Sequence, residues 1–378
     1  MITYRTAKVS EQDECLRLIN TVFQQAGTDI QFEKALPKVY APGREWADFH
    51  FAAVDSEKGV RGIVACLRNS MHIGGDILRF GYVGSVSVHP DARGEGHMIR
   101  LMEEVRRSAA EDGLDFLILG GRRQRYAYYG YETAGVRYDF TVLDSCVKHG
   151  LKDCDASGVR FVRLEPGSGP EAAAEDLHRR QRMWIDRTPS FAECCASYMS
   201  VPYAAVRGDA FLGCVVKQEK SMDIAELLAV SGEAADMTVK AWQEQNRLKA
   251  FRITVAGWDT DMIARLWRYA ETWSASPDAR VLILNPRNTV RALLKLKAEV
   301  TPLRDGEITL AVRDEDPFTV RVERNRVTVG GEGGGPVFHL TPSEAAVLLL
   351  GRPGEPPREH DPYGWFPLPL CVPMPDTF

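Results

Sequence analysis

The chain has 378 residues, 44% of them hydrophobic and 26% charged, with a formal net charge of −5. Those proportions describe a globular protein long enough for two or three domains. The mild acidic balance provides no basic face for nucleic acid, and no apolar run approaches the roughly 18 residues of a membrane span.

Residues 1–145 alternate strand and helix. A first strand is predicted at 2–7. Ser10 followed by Asp13 marks a helix start, and Leu16, Ile19 and Phe23 continue its apolar face. Residues 48–54 and 60–67 read as a hairpin around a turn at 55–59. A strand at 79–88 ends in Val-Gly-Ser-Val-Ser-Val and runs into a turn at 89–92. Arg93, Gly94 and Gly96 follow, and then an amphipathic helix. Met98, Met102, Val105 and Ala109 fall on one face of that helix. Glu103, Glu104, Arg106 and Arg107 fall opposite, with Glu103–Arg107 as an i,i+4 pair and Gly113 as the stop.

This order builds a cradle for a pyrophosphate. Small residues let the backbone approach, the first N–H groups of the helix point at the anion, and Arg93 adds charge-assisted hydrogen bonds. A nearly continuous apolar run at 114–119 reads as a central strand. It is followed by Arg125-Tyr-Ala-Tyr-Tyr-Gly-Tyr131, and a strand at 137–143 closes the unit.

Residues 152–170 form a Gly- and Ser-containing boundary. A second unit of the same order follows, with strands at 203–206, 211–218, 222–230 and 251–256 and helices at 238–245 and 262–270. Where the first unit has Arg93-Gly-Glu-Gly, the second has Ser231-Gly-Glu-Ala-Ala-Asp. It reads as a duplicated fold without a cofactor site. From Asn285 the character changes to a helix at 289–296 and short strands at 307–313, 319–323 and 326–329. Gly330-Gly-Glu-Gly-Gly-Gly335 lacks the Lys-Ser/Thr of a phosphate loop and reads as a mobile turn. Thr341-Pro-Ser-Glu344 is a capping box with Pro at the first helical position. Residues 353–378 hold many prolines together with Trp365, Phe366, Leu368 and Leu370, and read as an extended strap packed on the surface. The eight cysteines show no Cys-x-x-Cys spacing and read as reduced, buried thiols, with no metal site. The N-terminus lacks a signal-peptide apolar core, which predicts a cytoplasmic protein.

The spacing Arg93-x-x-Gly96 resembles the acetyl-CoA loop of GCN5-related N-acetyltransferases, although Met98 stands where that superfamily usually has Gly or Ala. Tyr126, Gly130 and Tyr131 match the register of the superfamily's tyrosine-bearing helix after the central strand. Over nearly its full length the chain resembles the Eis (enhanced intracellular survival) family of acetyltransferases. The resemblance implies an α/β (α+β) fold of two acetyltransferase-like mixed-sheet units, the second degenerate, and a sterol-carrier-protein-like domain. Their spans would be 1–150, 151–286 and 287–378.

The resemblance further implies acetyl-CoA as cosubstrate, a small-molecule amine as acceptor, no nucleic-acid or membrane partner, and a homo-oligomer, as a hexamer. Tyr126 would be the general acid, and the terminal carboxylate of Phe378 the general base, with Asp376 as the local alternative. Cofactor binding falls to Val86, Ser87, Val88, Arg93, Gly94, Glu95, Gly96, His97, Met98, Ile99, Gly121 and Arg122. An acceptor rim is expected from Phe23, Asp29, Phe32, Glu33 and Tyr40, compatible with a polycationic amine such as an aminoglycoside, or a lysine side chain. The alternative is a non-catalytic protein that binds CoA or an apolar ligand on a degenerate acetyltransferase scaffold.

Overall fold

The computed structural model describes residues 1–28, 30–331, 333–351 and 358–378. Strands β1 (Ile2–Thr6), β2 (His50–Asp55), β3 (Gly59–Ile73) and β4 (Asp76–Val88) pair antiparallel in chain order, and β5 (Phe116–Leu119) lies parallel to β4. Their alternation gives the sheet two apolar faces. Val83, Leu117 and Leu119 turn to one face, beneath Leu101, Met102, Val105 and Ala109 of the long helix His97–Glu111. Phe80, Tyr82, Phe116 and Ile118 turn to the other, beneath the helix Gln12–Gln25 and two single-turn helices, Phe32–Ala35 and Pro37–Tyr40. On the long helix, Arg107 pairs with Glu104 and, at 2.9 Å, with Glu111 instead of the expected Glu103.

Two features of β4 shape everything that follows. First, Ile63 pairs with Ser87 and Ala65 with Gly84, so Val64 alone faces both Ser85 and Val86. This is a bulge, and within it Ser85 takes a left-handed conformation, φ 50°. Second, β4 and β5 pair only at Phe80↔Phe116, Gly81↔Leu117 and Tyr82↔Ile118. Beyond Tyr82 the two strands part and open a split through the sheet.

The sheets do not divide at residues 150 and 286. The strand Arg137–Leu143, expected to close the first unit, pairs instead with Ala250–Ala256 and Thr272–Ser276 in a seven-stranded second sheet. In return Ala279–Ile283 crosses back and pairs with β5 and Glu132–Ala134 in the first sheet. An apolar alternation announces a strand but not its partner, so this exchange is invisible to periodicity. The second sheet otherwise repeats the expected antiparallel run Val201–Arg207, Ala210–Lys217 and Ile224–Ala229, then the helix Gly232–Gln245.

The last region forms a four-stranded sheet with the helices Pro286–Val300 and Pro342–Leu350. It includes an unforeseen strand, Val337–Leu340, parallel to Gly306–Val312. The capping box forms at Thr341 and Glu344. Trp365, Phe366, Leu368 and Leu370 of the strap are buried in the same apolar cluster as β4 and β5. The strap is therefore part of the core, not a surface cover. Its residues 353–357 and Glu332 of the glycine turn lie outside the described residues. All eight cysteines are unbridged and six are buried. Among the described residues, no helix is long and apolar enough to cross a membrane, and no cluster of His, Cys, Asp and Glu converges on a metal site.

Candidate active site

The loop after β4 is built as a cradle. Gly94 and Gly96 have φ of 87° and 82°, a conformation in which other residues are strained, and open space surrounds both. Gly96 is the N-cap of the helix His97–Glu111, and among the described residues no side chain caps it. A long helix with an uncapped N-terminus presents N–H groups and the positive end of its dipole to an anion. The exposed Arg93 stands beside the loop and reaches Gln25 at 3.4 Å.

Three residues of the expected cofactor set, Glu95, His97 and Met98, have side chains engaged elsewhere. The His97 side chain is 3% exposed and committed, with Nδ1 2.9 Å from the Tyr4 hydroxyl and Nε2 3.0 Å from Glu95. Only its backbone remains for an anion, and Glu95 is tied to it. Met98 packs into the apolar cluster under the helix, while Ile99 is exposed. Further along the split, Ser87 is buried and its Oγ lacks a hydrogen-bond partner among the described residues. A buried hydroxyl in that state calls for a polar ligand or water. Val86 and Val88 flank it on the free edge of β4. Gly121 and Arg122 are exposed and lead into the turn Arg123–Tyr126.

Tyr126 is buried on the helix face of the sheet, against Tyr131 and directly under Gly121. Burial pushes its phenol above the ordinary value, and the neighbouring Arg125 opposes this only in part, so it is protonated at neutral pH. Phe378 lies on the opposite face. Its ring packs beside Tyr40, Phe49, His50 and Tyr82, with centroids 6.1–6.5 Å apart, and covers Gly84 at the bulge. The two expected catalytic residues thus pack on opposite faces of the sheet where β4 leaves β5.

A cavity of about 290 Å³ opens on the Phe378 face. Tyr82 and Ile118 line it at the mouth of the split, and Thr377 borders it from the strap. Its carboxylates are Asp139, Asp259, Asp278 and Glu226, the last paired with Arg187, against Arg137 and Arg252. Burial pushes Asp278 up to about 6, its bond from the Val372 N–H (2.7 Å) opposing the shift.

The expected acceptor rim does not form as a rim. Tyr40 and Phe32, expected on an acceptor rim, are core residues at 2% and 5% exposure, and Phe23 packs edge-on against Phe32. Glu33 accepts from Asn20, and Asp29 lies outside the described residues. The Tyr40 hydroxyl connects the bulge to a buried histidine. Nδ1 of His50 is 2.7 Å from the Trp46 carbonyl, which can only accept, so Nδ1 carries the proton. Nε2 then accepts from Tyr40 (2.7 Å), and the Tyr40 oxygen accepts from Ser85 (2.7 Å). Burial lowers His50 to about 3 and keeps it neutral. Asp376, expected as the local alternative base, is buried and paired with Arg187.

The equivalent cradle in the second unit is filled. The Ser231 hydroxyl caps the helix Gly232–Gln245, and the Arg265 guanidinium covers Gly232 while pairing with Asp236 at 2.5 Å.

Residues 3–134 match the acetyltransferase (GNAT) domain family. The protein is an N-acetyltransferase. Domains of this family draw the acyl group from acyl-CoA, and the cradle, the split and the unpartnered Ser87 fit such a molecule. The chain is similar in structure to a GCN5-related N-acetyltransferase from Anabaena variabilis, at 15% identity over 92% of this chain and 90% of that one (TM-score 0.67). A GCN5-related N-acetyltransferase from Kribbella flavida is 17% identical over 92% and 89% (TM-score 0.63). Eis1 from Mycobacterium abscessus is 14% identical over 92% and 89% (TM-score 0.61). These likenesses extend the shared fold over nearly the whole chain. A comparison with curated proteins finds no match.

Proposed function

We propose an Eis-like, acetyl-CoA-dependent transfer of an acetyl group to an amine, with Tyr126 as general acid and the Phe378 carboxylate as general base. The observation that carries this reading is the burial of the C-terminal residue at the β4 bulge, on the face of the split opposite Tyr126. Acetyl-CoA supplies the acyl group as a thioester. The helix N-terminus at Gly96 and Arg93 hold its pyrophosphate, and the free edge of β4 at Val86–Val88 pairs with its pantetheine arm as an added strand would. A backbone N–H at the bulge stabilises the developing oxyanion. The terminal carboxylate takes the ammonium proton, and Tyr126 donates to the departing thiolate.

An α-carboxylate, at about 3.5, is ionised at neutral pH and is a weak base in water. Only desolvation would raise its basicity, so the reading requires a sheltered position for the carboxylate beside the buried ring of Phe378. The acidic cavity beside Thr377 suits a cationic acceptor, a polycationic amine such as an aminoglycoside or a lysine side chain. The remainder of the reading is a degenerate second unit, a sterol-carrier-like last domain, a homohexamer and a cytoplasmic location. The test appends residues after Phe378 and follows thiol release over a panel of amines. Loss of turnover with intact acetyl-CoA binding supports the reading, and undiminished turnover removes the carboxylate from the mechanism.

A further inference from the structure

A chain terminus has no following residues to hold it. If it is to act as a reactive group, the residues just before it must be anchored. One residue of slip in extended chain moves the end by roughly 3.5 Å, which takes a carboxylate out of hydrogen-bond reach of its target. The apolar strap residues Trp365–Leu370 lie too far upstream to set that register alone.

The anchors sit two residues from the end. Arg187, whose side chain is 1% exposed, grips Asp376 through Nε (2.8 Å) and Nη2 (3.0 Å). Its other edge grips Glu226 through Nη1 (2.9 Å) and Nη2 (2.7 Å), and Nη1 also donates to Cys195 Sγ at 3.3 Å. All five N–H donors of the guanidinium are thereby committed, and its plane lies over Phe191 at 4.7 Å. From the first unit, buried Lys38 donates to the carbonyls of Pro375 (2.8 Å) and Thr377 (2.6 Å). The strap end is held from both units.

Glu226 has a telling position. The strand Ile224–Ala229 pairs with Ala250–Ala256 only at Ile224↔Ile253 and then parts from it, as β4 parts from β5. Glu226 stands two residues past that last pair. In the first unit the corresponding region is the free edge of the split. In the second, strap residues 371–374 border the opening, and Met374 packs against the apolar cluster that includes Leu228 and Cys214.

We propose that the second unit is the receptor for the chain's own C-terminus, which it holds along one wall of its opening. Arg187 and Glu226 are positioning residues that set Phe378 in the first unit's site. This rests on the reading of the Phe378 carboxylate as base. Buried ion pairs add little net stability but are costly to break from one side and fix geometry, which is the property a positioned terminus needs.

The test uses the full-length protein. Arg187→Met is compared with the parent for melting temperature, acetyl-CoA affinity by calorimetry, kcat on a reactive amine, and hydrogen exchange of residues 374–378. The expected result is unchanged acetyl-CoA affinity, faster exchange at the tail and a kcat lower by about 100-fold, the scale of a misplaced reacting group. A parental kcat overturns the inference, and so does an equal loss of affinity and kcat, which marks a purely structural role. If Arg187→Met does not fold, Glu226→Gln and Asp376→Asn are read by the same criteria. The C-terminally extended protein separates the two failures. If extension leaves turnover intact, the base assignment itself is wrong. If extension abolishes turnover while the clamp variants keep theirs, only the receptor role falls.

Discussion

The ring of Phe378 lies directly on Gly84, so that a methyl group there would stand 2.2 Å from Cδ1 of the terminal ring. No L side chain fits between them. Gly84→Ala therefore forces the terminus away from the bulge or distorts β4, and overpacking of this kind costs about 1–3 kcal/mol. The penalty belongs to the pair. In a Phe378→Ala background the same Gly84→Ala change should cost much less, and a double-mutant cycle of melting curves measures the difference. Equal penalties in both backgrounds would mean that the terminus does not occupy that position in solution.

Tyr126→Phe should lower kcat by about 100-fold or more, the usual contribution of a positioned proton donor, while leaving the affinity for acetyl-CoA as it is. The phenol is buried and held above its ordinary value, so the loss of its proton falls above about pH 10. The parent enzyme should then show no basic limb from this group between pH 7 and 9 in kcat. A kcat unaltered by the substitution removes Tyr126 from the mechanism.

Much of this site is legible in the sequence, and the part that is not has a common cause. The cradle at 93–98 is local: a strand, two glycines and a helix start, each with its own signature. The strap is legible from its apolar residues among prolines, but its place in the core is not. By contrast Lys38 and Arg187 look like any other charged residues along the chain, and only the tertiary fold brings them to the last four residues. Tyr40 reads as a rim aromatic because it sits on a single-turn helix, too short to display a buried face. The exchange of 137–143 for 279–283 between sheets escapes for the same reason, since pairing is a long-range choice.

At the cofactor loop, Gly96→Ala meets no steric contact but puts a Cβ at φ 82°. The strain is about 1–2 kcal/mol, and relief tilts the helix N-terminus away from the anion. The Michaelis constant for acetyl-CoA should rise by about tenfold, the equivalent of 1.4 kcal/mol, with kcat at saturation little changed. Steady-state kinetics at varied acetyl-CoA decide this, and a selective fall in kcat would place the loop's role elsewhere.

Asp278 gives the cavity a pH signature. Burial raises its carboxyl to about 6 in the fold, against about 3.9 for an unperturbed aspartate. Between those values the folded state binds more protons than the unfolded state, so this group makes stability fall as pH rises from about 4 to 6. Above that window the buried charge is a standing cost. Asp278→Asn keeps an oxygen to accept from the Val372 N–H and removes the charge. The variant should therefore be more stable than the parent at pH 8, by on the order of 1–3 kcal/mol, and so melt higher, and the advantage should shrink toward zero near pH 4. Melting temperatures across that range test the sign. A variant less stable than the parent at pH 8 would show that Arg137, whose charge favours the ionised form, outweighs burial.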